Sequence, residues 1–242
     1  ARPAGRQCTA MKWLVNGSAT AGILPDDRGF SYGDGLFETI AVRSGVCRLF
    51  AEHAERLSAS AARLQMPAPD VVKIAAEAEQ LIGDTKSDGT LKVIYTRGPG
   101  KRGYATPANP AVTLAVGFSV GRRDPVSAAG VALRTCHTPL GRNPLLAGMK
   151  TLNRLEQVLA RAEWQCGGIA EGLMFDTEGH LVCGTMSNVF VVSAGRLLTP
   201  LLDQCGVCGV MRAQVLAAAR RLGVPAGEAR LLARIAPHDR AA

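Results

Sequence analysis

Lys150 closes the segment Leu146-Ala-Gly-Met-Lys150 and stands just ahead of Thr151-Leu-Asn153-Arg-Leu-Glu-Gln. A primary amine behind an apolar, glycine-containing approach and before a helix can be desolvated. Desolvation disfavours the ammonium form and leaves an amine that attacks aldehydes. The competing reading of these residues alone is an ordinary surface lysine at a helix start. Cys205-Gly-Val-Cys208 has the spacing of a redox pair or of half a zinc site. A structural zinc needs two further ligands, and neither a second such pair nor a nearby His-x3-His follows, so no metal is expected. The sequence carries no serine elbow, no phosphate-binding glycine loop and no dinucleotide fingerprint.

Such an amine works only if a folded chain holds it. The 242 residues and 25.4 kDa allow one large domain or two modest ones. With 47% hydrophobic and 20% charged residues, disorder is excluded as the main state. Residues 111–120 form the longest largely apolar stretch, well short of the ~20 that a membrane span needs. The opening Ala1-Arg-Pro-Ala-Gly5 lacks the apolar segment of a secretory leader. Aromatics at 5% argue against base stacking. The net charge of +8 comes from Lys and Arg spread along the whole chain, with no five-residue basic run. That distribution suits an anionic small substrate or a phosphate-bearing cofactor better than nucleic acid. Seven cysteines, at 8, 47, 136, 166, 183, 205 and 208, are odd in number and widely spaced. They read as reduced thiols of a cytoplasmic protein rather than a disulfide framework.

Periodicity supplies the elements that would carry the lysine. The Asn16-Gly17 turn after Lys-Trp-Leu-Val predicts a hairpin. Residues 37–42 and 46–50 predict two strands around Ser44-Gly45. From residue 51 onward Leu57, Ala61 and Leu64 recur at helical spacing until Pro67, and residues 71–82 predict a second amphipathic helix. Strands are expected at 91–96, 111–120, 130–136, 172–176 and 189–192. Helices are expected at 152–162 and at 211–222, the latter stopped by Gly223. Leu155, Val158, Leu159 and Ala162 give the first of these one apolar face. The expectation is an α+β (mixed α/β) fold in two domains, divided at the polar, turn-rich residues 121–125. Residues 1–10 would be an appendage, 11–120 a small N-terminal domain, and 126–242 a larger C-terminal domain carrying the lysine.

Six motifs, in order, resemble the fold-type IV pyridoxal-phosphate enzymes, the class-IV aminotransferase family. They are Asp27-Arg-Gly-Phe-Ser-Tyr-Gly-Asp-Gly-Leu-Phe-Glu-Thr39, His53-Ala-Glu-Arg56-Leu, and Thr96-Arg-Gly-Pro-Gly-Lys-Arg-Gly-Tyr104. They continue as Leu140-Gly-Arg-Asn-Pro144 leading to Lys150, Gly184-Thr-Met-Ser-Asn188, and Cys205-Gly-Val-Cys-Gly-Val-Met-Arg212. The Gly-Arg-Asn-Pro, Arg-Gly-Tyr and Asn-Arg-Leu-Glu-Gln segments are similar to the family's lyase branch. That resemblance implies elimination of pyruvate from 4-amino-4-deoxychorismate, leaving 4-aminobenzoate for folate synthesis. The alternatives are an aminotransferase for D- or branched-chain amino acids, or a catalytically impaired relative.

The resemblance further implies that pyridoxal phosphate joins Lys150, which then acts as the catalytic base. Arg56 and the backbone amides of Val210 and Met211 would hold the phosphate, and Asn153 would orient the ring. A guanidinium suits that task because it pairs bidentately with phosphate, although the local pattern alone makes Arg56 a solvated helix position like Arg63. Phe30, Tyr32 and Thr39 would line the substrate pocket, with Arg97, Arg102 and Tyr104 at the substrate's carboxylates. A homodimer is the implied assembly. Cys183 stands where the family carries a glutamate against the pyridine nitrogen, so no carboxylate is offered there. His53 is expected to cap or pack, and Glu38 and Glu156 to be salt-bridge partners. Beyond Leu222 the basic stretch from Glu228 matches no motif of the family, as if the C-terminal domain were truncated and a sheet edge left open.

Overall fold

The computed structural model describes residues 10–84, 86–121, 129–165 and 167–232. The expected appendage up to residue 9, the boundary segment beyond 121 and the tail beyond 232 lie outside them. The described residues fall into two units, 10–121 with 150–153, and 129–149 with 154–232.

The first unit runs β1 (Lys12–Val15), α1 (Arg28–Tyr32), β2 (Gly35–Arg43), β3 (Val46–Cys47), α2 (Phe50–Arg63), α3 (Val71–Ile82), β4 (Gly89–Thr96) and β5 (Thr113–Val120). Its sheet has the order β1-β5-β4-β2-β3, and every neighbouring pair is antiparallel. Alternate residues of the strands point to one core face. Leu36, Ile40, Val42, Leu91, Val93 and Val116 cluster there with Leu57 and Ala61 of α2 and Ile74 and Ala78 of α3. Asn16 and Gly17 do reverse the chain, both at positive φ, and Val15 bridges Ser18. The expected turn therefore forms, closed by Val15 N to Ser18 O and Ser18 N to Val15 O, but no second strand continues it, and β1 takes β5 as its strand partner. Gly117 on β5 makes room for that pairing: a Cβ there would stand 2.6 Å from the Trp13 ring.

Two features of this unit were not foreseen. The five-residue α1 is capped by Asp27, which accepts from Gly29 N at 2.8 Å, and it ends at Gly33 in the left-handed region (φ 68°). Residues 150–153 also belong here. Phe37 N donates to Lys150 O and Leu152 N to Gly35 O, both at 3.0 Å. The lysine therefore packs with the first unit, not with the C-terminal half that the sequence suggested. The helix expected from residue 152 starts later, at Leu155, because the preceding backbone is bonded to β2.

The second unit runs β6 (Ala132–Thr135), α4 (Leu155–Ala162), β7 (Ile169–Phe175), β8 (His180–Gly184), β9 (Val191–Ser193), β10 (Arg196–Pro200), α5 (Val210–Arg221), β11 (Ala226–Ala229) and β12 (Leu231–Leu232). One sheet has the order β12-β8-β7-β6 and the other β11-β10-β9. The residues after Leu222 are therefore not featureless. β11 pairs in parallel with β10, and β12 covers β8. The apolar face of α4 also differs from expectation. Leu155, Val158 and Leu159 are 76%, 59% and 59% exposed, while Ala160 is fully buried with Cys136, Trp164 and Met174. No helix among the described residues is long and apolar enough to cross a membrane.

Candidate active site

In the first unit, the Lys150 backbone is held by β2 through Phe37 N, and its Nζ lies 4.2 Å from the centre of the Phe37 ring. Met149 and Thr151 on either side are buried. The amine is thus fixed from below by its backbone and from the side by an aromatic face. Asn153 Nδ2 donates to Gly33 O at 3.1 Å. Gly33 must lack a side chain, since a Cβ there would meet the Asn153 amide.

Arg56 projects from α2 onto Glu38 of β2. Its Nε donates to Glu38 Oε1 at 2.8 Å and its Nη2 to Oε2, forming a bidentate pair. His53, one turn earlier, places Nδ1 2.7 Å from the same Oε2. Burial alone would raise the Glu38 carboxyl, but the bonds from His53 and Arg56 outweigh it and hold the group below the usual glutamate range. Glu38 is thus the salt-bridge partner that was expected, and His53 joins its pair rather than only packing. Glu156 instead accepts from Gly141 N at 2.7 Å.

The other candidates of this unit divide. Tyr32 and Tyr104 meet edge to face at 5.5 Å, and Tyr32 Oη accepts from Gly103 N. Phe30, Thr39, Arg102 and Tyr104 are exposed. Arg97 departs from the anion-binding role: it is 5% exposed, and it donates to Asp34 and to the Leu64 and Gln65 carbonyls at the end of α2. Arg28, which no pattern singles out, shares Asp34. It also donates to the Gly103, Tyr104 and Ala105 carbonyls, so it fixes the loop carrying Arg102 and Tyr104.

In the second unit, Cys183 sits on β8 opposite Met174, with its side chain buried. Burial first, then the neighbouring Cys205, pushes its thiol up to about 12 against the pull of Arg154. It is a neutral thiol at any physiological pH. Val210 and Met211 open α5 behind Gly209, which provides no side-chain cap. The first amides of a helix have no acceptor within it, and the helix dipole adds a positive end there. The preceding turn is tied down by Cys208 N to Gly148 O, Gly148 N to Gly206 O, and Asn188 Nδ2 to Val207 O.

The first unit thus presents a held amine, which can attack an aldehyde, and a guanidinium fixed in orientation. The second unit, taken by itself, presents a helix N-terminus of the kind that attracts anions, and a thiol at position 183.

Comparison with known proteins shows what the chain as a whole is similar to. Residues 35–235 match the family described as amino-transferase class IV. Aminodeoxychorismate lyase of Vibrio harveyi is 38% identical over 208 residues, covering 85% of this chain and 76% of that protein. The crystal structure of 4-amino-4-deoxychorismate lyase from Pseudomonas aeruginosa superposes with a TM-score of 0.83 at 43% identity, covering 91% of this chain and 82% of that one. D-alanine aminotransferase of Listeria monocytogenes is 28% identical over 231 residues, covering 90% and 78% respectively.

Proposed function

The chain belongs to the amino-transferase class IV family of pyridoxal-phosphate enzymes, and on that premise we propose that it is a lyase converting 4-amino-4-deoxychorismate to 4-aminobenzoate and pyruvate. The observation that carries this reading is the Lys150 amine, held against Phe37 by a backbone bonded to β2. The resemblance to two lyases of that specificity supports the choice of substrate.

Bound pyridoxal phosphate supplies an electron sink beside the substrate's amine. Lys150 would hold the cofactor through Nζ, and the same amine, once the substrate's own amine has displaced it, would take the C4 proton. Arg56 binds the phosphate, and Glu38 with His53 holds the guanidinium in one orientation. The amides of Val210 and Met211 donate to the same phosphate. Asn153, anchored on Gly33, orients the ring. Arg102 and Tyr104 bind the substrate's carboxylates, and Phe30, Tyr32 and Thr39 line its pocket. Arg97 supports that loop through Asp34, which it shares with Arg28. Cys183 would offer the ring nitrogen only an uncharged thiol. An elimination that ends in an aromatic ring asks less of the sink than a transamination does. We infer a homodimer working in the cytoplasm. A D-amino-acid transaminase is the second reading, favoured by the D-alanine aminotransferase relative.

Purified protein loaded with pyridoxal phosphate is expected to release pyruvate from 4-amino-4-deoxychorismate, and Lys150→Ala to abolish release. Accumulation of pyridoxamine phosphate with D-alanine, and no pyruvate from 4-amino-4-deoxychorismate, would favour the transaminase.

A further inference from the structure

Glu171 has no part in the mechanism above, yet it is the most heavily bonded carboxylate of the second unit among the described residues. It lies on β7, and its oxygens accept from one short turn of chain. Gly172 N, beside it on β7, and Thr185 N of the turn donate to Oε1 at 3.0 Å, and the Thr185 hydroxyl donates to the same oxygen. Met186 N at 3.2 Å and Ser187 Oγ at 2.9 Å donate to Oε2. Burial alone would raise this carboxyl, but the bonds outweigh it and keep the group ionised. The turn itself admits no variation at Gly184, where a Cβ would run into Ser187 Oγ and the Glu171 side chain.

The next residue carries the restraint onward. Asn188 Nδ2 donates to Val207 O at 2.9 Å, and its Oδ1 lies against Gly209, where a Cβ would collide with it. Val207 and Gly209 lead directly into Val210, the first residue of α5. A continuous set of bonds thus runs from Glu171 through residues 185–188 to the N-terminus of α5. A neutral amide would not reproduce this set. With its oxygen toward the three donors at Oε1, its NH2 would face the Met186 N–H donor against donor, and the Ser187 hydroxyl would have to rotate from donating to accepting.

We propose that Glu171 is a positioning residue: it fixes the 184–188 turn so that Asn188 holds the 206–209 turn and aims the first amides of α5 at a bound phosphate. This rests on the assignment of Val210 and Met211 to the cofactor's phosphate.

The test compares Glu171→Gln and Asn188→Ala with Glu163→Gln. Glu163 is a matched control, a carboxylate of the same unit that caps another turn through His137 N, Thr138 N and Thr138 Oγ1. Binding of inorganic phosphate and of pyridoxal phosphate is measured by equilibrium dialysis, and amide hydrogen exchange is followed across residues 206–211. Both Glu171→Gln and Asn188→Ala should weaken binding about tenfold, as for the loss of one hydrogen bond to a charged group. Both should also speed exchange at 206–211, while Glu163→Gln leaves affinity and that exchange unchanged. If Glu171→Gln fails to fold, Asn188→Ala alone decides. The proposal is overturned if the variants at 171 and 188 bind and exchange like the parent, or if Glu163→Gln matches them. If the parent itself binds neither probe, the phosphate assignment fails. Exchange at 206–211 then still decides whether Glu171 orders this turn.

Discussion

Glu38 decides what Arg56 can do. Without a buried carboxylate across from it, the guanidinium would be one more solvated helix arginine. Replacing one partner of a buried ion pair leaves the other uncompensated, which costs about 3 kcal/mol. Glu38→Gln should lower the unfolding free energy by that order in denaturant titrations and weaken pyridoxal phosphate binding about tenfold. The pH dependence follows from the sign of the shift. Glu38 is held low in the folded chain, so its contribution is complete above the ordinary glutamate pKa and disappears as pH falls through the lower folded value. Stability of the parent should therefore drop below about pH 4, and the Gln variant should lose less over that interval. Cys183 makes the opposite point. A thiol pushed up to about 12 by burial is inert, whereas Cys208 is exposed. Thiol labelling of the native protein followed by peptide mapping should modify Cys208 rapidly and leave Cys183 and Cys205 unmodified until unfolding.

At the scale of elements, α4 shows where pattern and packing part. Its apolar residues suggest a buried stripe, but the helix turns Ala160 inward and leaves Leu159 in the open. Leu159→Ser should change stability by less than about 0.5 kcal/mol, while Ala160→Val, overfilling a closed site, should cost about 1–3 kcal/mol, both read from thermal melts. Its start also differs from the pattern, since the bonds of residues 150–153 to β2 delay it to Leu155. No local signal announces a bond between Lys150 O and a strand more than a hundred residues earlier in the chain. Elements with strong period, such as Val71–Ile82 and Gly89–Thr96, were legible because propensity, pattern and stop signals agreed. β8 was not, since Leu181, Val182, Cys183 and Gly184 are all buried and show no alternation. Of the site residues, Lys150, Arg56 and Asn153 drew attention through their motifs. Arg28, Asp34 and Glu171 act by holding other groups, so their importance emerges only once the chain is folded, whereas Glu38 was expected to pair but not with which partners.

The whole molecule carries a net charge of +8, and the substrate we propose carries two carboxylates against one amine. A positive field raises the encounter rate with an anion and is screened over about 10 Å at 0.1 M salt. The KM for 4-amino-4-deoxychorismate should therefore rise with ionic strength, with kcat nearly constant, in initial-rate measurements across a salt series. The central claim is narrower than charge or fold: one amine forms the bond to the cofactor. Protein loaded with pyridoxal phosphate, reduced with borohydride and digested, should carry the pyridoxyl mass on the peptide containing Lys150 and on no other. The mass on a different lysine, or on none, would contradict the account.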